Sequence, residues 1–321
     1  MPASIKEIAL RTIELESASI AGLAPYINAD FEKAVHALAA CTGRIVISGI
    51  GKSAVIAQKI VATFNSTGTP SIFMHAADAI HGDLGIVQQD DIVIIISKSG
   101  ESPEIKVLVP LIRNFGNTLI GMVGSIGSYL ARQSNIVLNT TVDQEACPNN
   151  LAPTSSTTAQ LVMGDALAVC LMELKGFQTE DFAKFHPGGT LGKKLYLRVS
   201  DLYVNNEKPR VSADQTLQEV IVEMTQKRLG VTAVTDNDGK LLGIITDGDL
   251  RRMLKNNIQF NDKIKAKEIM TANPKLIGPD ELAVEALDLL RKNNITQLAV
   301  VSGGTYLGII HLHDLIREGL I

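Results

Sequence analysis

Apolar positions change their period along this chain, and the change marks out its elements. Ile5, Ile8, Ala9 and Ile13, then Phe31, Val35 and Ala39, recur at three- and four-residue steps, so residues 3 to 41 are predicted to be helical. From Arg44 onward short segments read as strands, 44–48, 70–75, 91–97, 118–123 and 136–140, of which 91–97 is a continuous apolar run rich in β-branched residues. Runs of that kind predict strands buried on both faces, the signature of a parallel sheet. Helices are predicted between them: one from Lys52 through Val61, one over Ile105–Ile112, and one over Ala159–Lys175 with Met163, Ala166, Leu167 and Cys170 on its inner face.

The last third repeats itself. Leu241 to Arg251 (LLGIITDGDLR) reappears as Tyr306 to Ile316 (YLGIIHLHDLI), and Leu217 to Val234 parallels Ala283 to Val300, each a helix followed by a strand. The turn Asn237-Asp238-Gly239 is one residue longer than its counterpart Gly303-Gly304. A duplicated helix–strand–strand–helix unit is an architectural signal in its own right. Predicted domains are therefore 1–195, 201–262 and 263–321.

Composition narrows the class. The 321 residues are 45% hydrophobic but only 4% aromatic, with no Trp, which suits an Ala/Val/Ile/Leu-rich α/β enzyme. A formal net charge of −4 supplies no basic footprint for nucleic acid. The N-terminus shows no basic-then-apolar leader, and no apolar run is expected to cross a membrane. Three widely spaced cysteines (Cys41, Cys147, Cys170) read as reduced thiols of a cytoplasmic protein, and neither they nor His75 and His81 have zinc spacing.

Candidate chemistry sits at the turns that follow the strands. Ser97-Lys98-Ser99-Gly100-Glu101-Ser102 links a strand to a helix that Ser102 can cap and Pro103 can begin. Hydroxyls beside free backbone N–H groups at a helix start suit a phosphate. A second hydroxyl cluster, Thr154 to Thr158, also precedes a helix. Gly51-Lys52-Ser53 is not a P-loop, because the glycine required five residues earlier is Val46. Lys52 at a helix start is nevertheless placed against the helix dipole, which points to an anionic partner.

At these residues the chain resembles a known family. Residues 1 to about 195 resemble the SIS (sugar isomerase) domain, a five-stranded parallel sheet that binds phosphosugars. More narrowly, Ser48–Ser53, His81–Gly85, Ser97–Ser102, Glu145–Pro148, Leu151–Thr157, Met163–Leu167 and His186–Gly189 together resemble the D-arabinose 5-phosphate isomerases. The repeats resemble a tandem CBS pair, a module that often binds adenine nucleotides. In that family a Thr or Ser three residues before an Asp contacts ligand. The first copy keeps Thr246 and Asp249, whereas the second has His311 before Asp314.

The resemblance implies an aldose–ketose isomerase working through a cis-enediol, with no cofactor and no metal. It implies Glu104 as the base for C1/C2 proton transfer with Glu145 as competitor, His186 for ring opening, His81 for orienting substrate and Lys52 for stabilising negative charge. Ser97, Ser99, Ser102, Ser155, Ser156 and Thr157 would hold the phosphate. It further implies interconversion of D-ribulose 5-phosphate and D-arabinose 5-phosphate for Kdo (3-deoxy-D-manno-octulosonate) supply, in a homotetramer, with CMP-Kdo as an effector suggested by pathway logic. An isomerase of another phosphosugar, and a non-catalytic phosphosugar sensor signalling through the CBS pair, remain open at this point.

Overall fold

The computed structural model describes residues 4–255 and 263–321, which form two units, 1–185 and 186–321. In the first, helices α1 (Ile5–Ala21) and α2 (Ala29–Ala39) lead into alternating strands and helices. These are β1 (Ile45–Gly49), α3 (Lys52–Ser66), β2 (Ser71–His75), α4 (Ala76–Ala79), β3 (Ile92–Ser97), α5 (Pro103–Phe115), β4 (Thr118–Val123), α6 (Tyr129–Gln133), β5 (Ile136–Asn139), α7 (Ser155–Lys175) and α8 (Thr179–Phe185). The strands form one sheet in the order β2-β1-β3-β4-β5, every pairing parallel.

Side chains alternate across that sheet. Ile92, Ile94 and Ile96 enter a core shared with Leu38, Phe64, Met163 and Leu167 of α2, α3 and α7. Val93 and Ile95 enter the opposite core with Leu108, Val109 and Ile112 of α5. Both faces are covered, which explains why these strands are apolar without alternation. Helix α7 is also long and apolar enough to cross a bilayer, contrary to the expectation that no segment reaches that length; here it packs Met163, Leu167 and Leu171 into the first core. It meets α3 so closely that a Cβ on Gly164 would lie 2.5 Å from Cγ1 of Ile60. The apolar period of α1 gives a helix as expected, but Ile5, Ile8 and Ile13 are exposed and no residue of α1 is buried.

The amino ends of β1 and β3 are tied together. The Arg44 amide donates to Asp91 Oδ1 at 2.7 Å, and its guanidinium donates to Asp91 Oδ2 at 3.0 Å and to the Ile86 carbonyl at 2.7 Å. Burial works to raise the Asp91 pKa, but the Arg44 and Gln88 amides and the Arg44 guanidinium outweigh it and hold the group below the usual carboxylate range. The Asn117 amide donates to the Asp91 and Gln88 carbonyls, both at 2.8 Å, securing the same corner.

The second unit contains the duplication as two three-stranded sheets. Strands β6 (Arg210–Ser212), β7 (Val231–Thr235) and β8 (Leu241–Thr246) form one; β9 (Leu276–Ile277), β10 (Gln297–Ser302) and β11 (Thr305–His311) form the other. In each, a short leading strand pairs parallel with the middle strand, which then forms an antiparallel hairpin. These leading strands, of three and two residues, are additions to the predicted helix–strand–strand–helix unit. The hairpin register slips after Val234 in one copy and after Val300 in the other, equivalent positions of the repeat. Val231, Ala233, Ala299, Tyr306 and Ile309 form a small core drawn from both copies. The Tyr306 hydroxyl is buried and donates to the Pro209 carbonyl at 3.0 Å. The predicted boundary at 262/263 adjoins residues 256–262, which lie outside the described residues.

Candidate active site

Strand order reverses between β1 and β3, so the connections leaving their carboxyl ends diverge to opposite faces and open a crevice. The β1 connection turns at Gly51, whose positive φ of 58° suits glycine, and delivers Lys52 as the first residue of α3. The β3 connection is held by its own hydroxyls. Ser97 Oγ accepts from the Gly100 amide at 3.0 Å and Ser99 Oγ from the Glu101 amide at 3.3 Å. Gly100, at φ 63°, is pressed against Ser128, so a side chain there would collide.

Between these turns and the start of α7 lies a cavity of about 310 Å³, lined by Lys52, Ser97, Lys98, Ser99, Ser102, Ser156 and Thr157 together with Ile50, Ser53 and Pro153. The first turns of α3 and α7 and the N-cap position of α5 therefore face one space. Unpaired N–H groups and positive dipole ends make such a space favourable for an anion, and the ammonium groups of Lys52 and Lys98 reinforce it.

Ser102 occupies the N-cap position with extended backbone, as expected, but its hydroxyl caps nothing; the oxygen is buried without a hydrogen-bond partner. The second hydroxyl cluster does not precede α7 but forms its first turn, since the helix begins at Ser155 rather than Ala159. Ser155 is fully buried and lies outside the cavity lining, its hydroxyl also unpartnered.

Glu145 lies behind the cavity, its side chain wholly buried. Oε1 accepts from Lys98 Nζ and from the Ser156 hydroxyl, each at 2.5 Å; Oε2 accepts from the Thr154 amide at 2.7 Å and the Ser156 amide at 3.1 Å. Burial alone would raise its pKa, but the Lys98 ammonium, the Ser156 hydroxyl and the two amides bring it down to about 2. A carboxylate so fully engaged and so weakly basic is poorly suited to accept a carbon-bound proton.

Other predicted residues stand apart. Glu104, half-buried in the first turn of α5, and His81, exposed in the turn after α4, are outside the cavity lining. His186 follows α8 and belongs to the second unit. Lys98 is a lining residue that the sequence reading misses, although its place between Ser97 and Ser99 is the available signal.

In the second unit the two copies differ in their surroundings. Asp249 Oδ2 accepts from the Thr246 amide at 2.8 Å and hydroxyl at 2.6 Å, and neither residue lines the cavity beside Asp314. That cavity, about 340 Å³, gathers Asp314, His311, His313, Arg228, Arg317 and Asp247. Asp314 Oδ2 accepts from Asn206 Nδ2 at 2.6 Å and from the His311 amide at 2.8 Å. Burial and the neighbouring His313 lower the His311 pKa, with Asp314 acting in the opposite sense.

Known proteins share this organisation. The SIS domain family matches residues 38–170, and the CBS domain family matches 199–256 and 266–320. The arabinose 5-phosphate isomerase KdsD of Yersinia pestis is 46% identical over 97% of this chain and 95% of its own length. Its namesake in Pseudomonas aeruginosa is 47% identical, covering 98% and 96%. A solved structure from Escherichia coli, in complex with arabinose 5-phosphate, is 41% identical over 56% of this chain and 96% of its own, with a TM-score of 0.55. With identity of this degree along nearly the whole length, this chain, an SIS domain followed by two CBS repeats, belongs to the arabinose 5-phosphate isomerase family.

Proposed function

We propose that this chain interconverts D-ribulose 5-phosphate and D-arabinose 5-phosphate through a cis-enediol. The observation that carries the reading is the cavity at the β1/β3 crevice, where hydroxyls, helix starts and two lysines surround a space suited to a sugar phosphate. In the direction of arabinose 5-phosphate, a base removes a C1 proton, the enediol forms, and the proton is returned to C2 while a hydroxyl proton moves between O1 and O2.

Glu104 is assigned as that base, because Glu145 is committed to its own hydrogen bonds. Ser97, Ser99, Ser102, Ser156 and Thr157 hold the phosphate, and Lys52 stabilises negative charge developing on the enediolate. His81 for orienting substrate and His186 for ring opening follow from the family motifs. The same reading makes residues 1–195 the isomerase domain and 201–262 and 263–321 the CBS repeats. It also places the protein in the cytoplasm as a homotetramer, a state to which the exposed apolar positions of α1 are suited. The product would feed Kdo synthesis, and the Asp314 cavity is the place for a nucleotide or CMP-Kdo effector.

Incubation with ribulose 5-phosphate in deuterium oxide, followed by NMR, tests the reading. Arabinose 5-phosphate carrying deuterium at C2 is expected. A different sugar product would assign another phosphosugar, and binding without exchange would make the protein a sensor.

A further inference from the structure

Glu145 and Lys98 come from loops 47 residues apart, and their contact joins two walls of the cavity. Glu145 takes hydrogen bonds from Thr154 and Ser156 at the start of α7 on one side and from Lys98, in the β3–α5 turn, on the other. Its side chain is fully buried, whereas that of Lys98 is 45% exposed and faces the cavity. An ammonium has three donors, and Glu145 takes one of them. The others can serve a ligand in the space that Lys98 lines.

We propose that Glu145 is a positioning residue that holds Lys98 over the cavity, and that Lys98 is a direct ligand of the substrate phosphate. This deepens the isomerase reading and rests on it for the identity of the substrate. Charge separation supports the division of labour. A lysine alone in the turn would sample many rotamers, and a buried carboxylate beneath it restricts the ammonium to one wall. A phosphate arriving there meets Lys98 together with the unpartnered Ser102 hydroxyl, while the Glu145 carboxylate is turned toward its own donors and buried away from the cavity lining.

The test uses the full chain and three variants: Lys98→Met, Glu145→Gln and the double variant. Binding of inorganic phosphate is measured by calorimetry, alongside kcat, KM and the pH–rate profile for ribulose 5-phosphate. Loss of a charged hydrogen bond predicts phosphate binding weaker by about tenfold to a hundredfold in Lys98→Met. Glu145→Gln puts an amide N–H among donors and should weaken phosphate binding similarly. The double variant should be no weaker than Lys98→Met, because both changes act through one ammonium.

Glu145→Gln should raise KM more than it lowers kcat, keep both limbs of the pH profile and keep C2 deuterium incorporation. Loss of exchange in Glu145→Gln with phosphate binding intact would overturn the proposal and make Glu145 the base. Phosphate binding within twofold of the parent in Lys98→Met would also overturn it. The phosphate measurement needs no turnover, so an unmodified protein that binds phosphate but leaves ribulose 5-phosphate unchanged removes the isomerase reading while the Lys98 prediction is still decided. Should Glu145→Gln fail to fold, the half-exposed Lys98→Met decides the ligand role. Glu145→Asp, whose shorter carboxylate should weaken phosphate binding through a displaced Lys98, then decides the positioning role, and unchanged phosphate binding in it overturns that role.

Discussion

Ser102→Ala separates the folding role of a residue from its ligand role with unusual clarity. The hydroxyl is buried, lines the cavity and has no partner in the free protein. It does not cap α5, so the usual loss of about 1 kcal/mol on removing a cap does not apply. An unsatisfied buried polar group costs about 1–3 kcal/mol. Because Ser102 as a whole is only half-buried, the low end is appropriate, and Ser102→Ala should stabilise the first unit by about 1 kcal/mol. For a unit of this size that corresponds to a rise in Tm of about 2–4 °C. Toward ligand the sign reverses: a hydrogen bond to a phosphate oxygen is lost, and KM for ribulose 5-phosphate should rise about tenfold to a hundredfold. Ser155→Ala is the control. Its hydroxyl is equally unpartnered but lies outside the lining, so it should stabilise without changing KM. Urea unfolding and steady-state kinetics on the three proteins decide the matter. A Ser102→Ala protein that is less stable than the parent, or whose KM is unchanged, refutes the reasoning.

Glu145 makes stability depend on pH. Its pKa is about 2 in the folded protein against 4.5 ordinarily, so its contribution is present above pH 4.5 and drains away as pH falls toward 2. The stability gap between the parent and Glu145→Gln, read from urea midpoints, should narrow through that window; a constant gap contradicts the assignment. Gly164→Ala should gain about 1 kcal/mol of helix propensity and lose about 1–3 kcal/mol to overpacking, because the buried Ile60 cannot retreat from a Cβ at 2.5 Å. Net destabilisation in urea is expected, and a more stable variant would show that α3 and α7 have room to part. Tyr306→Phe should cost only about 1 kcal/mol in thermal unfolding, since the Pro209 carbonyl keeps the Ala233 amide at 3.2 Å as a donor. A loss of about 3 kcal/mol or more would mean that the phenol does more than satisfy one carbonyl.

The middle of the sheet is legible in sequence because β1, β3 and β4 are buried on both faces. Thr118–Val123 and the run ending at Ser97 need little beyond apolar continuity to be recognised. The repeat is legible because duplication survives in sequence, down to the longer turn at Gly239. Other features depend on tertiary context. Ser155 to Thr158 read as a loop by side-chain preference, yet burial of Ser155 and Ser156 and the hydrogen bonds from Ser156 to Glu145 make them helix. The leading strands β6 and β9 are too short to show a period. Ser102 is placed correctly by its sequence, but only the folded chain shows that its hydroxyl is withheld from the backbone. The partnership of Lys98 with Glu145 spans 47 residues and leaves no local trace. Sequence likewise keeps the Thr–Asp pair in the Thr246 copy, whereas the cavity that gathers around Asp314 has no such signature.

The Arg44–Asp91 corner has a practical corollary. It fastens the amino ends of β1 and β3, whereas the crevice proposed to hold phosphate lies beyond their carboxyl ends, one strand length or roughly 20 Å away. Durability and turnover thus have separate addresses on the same two strands. An engineer seeking a hardier catalyst can reinforce that distant corner and leave the reacting groups where they are.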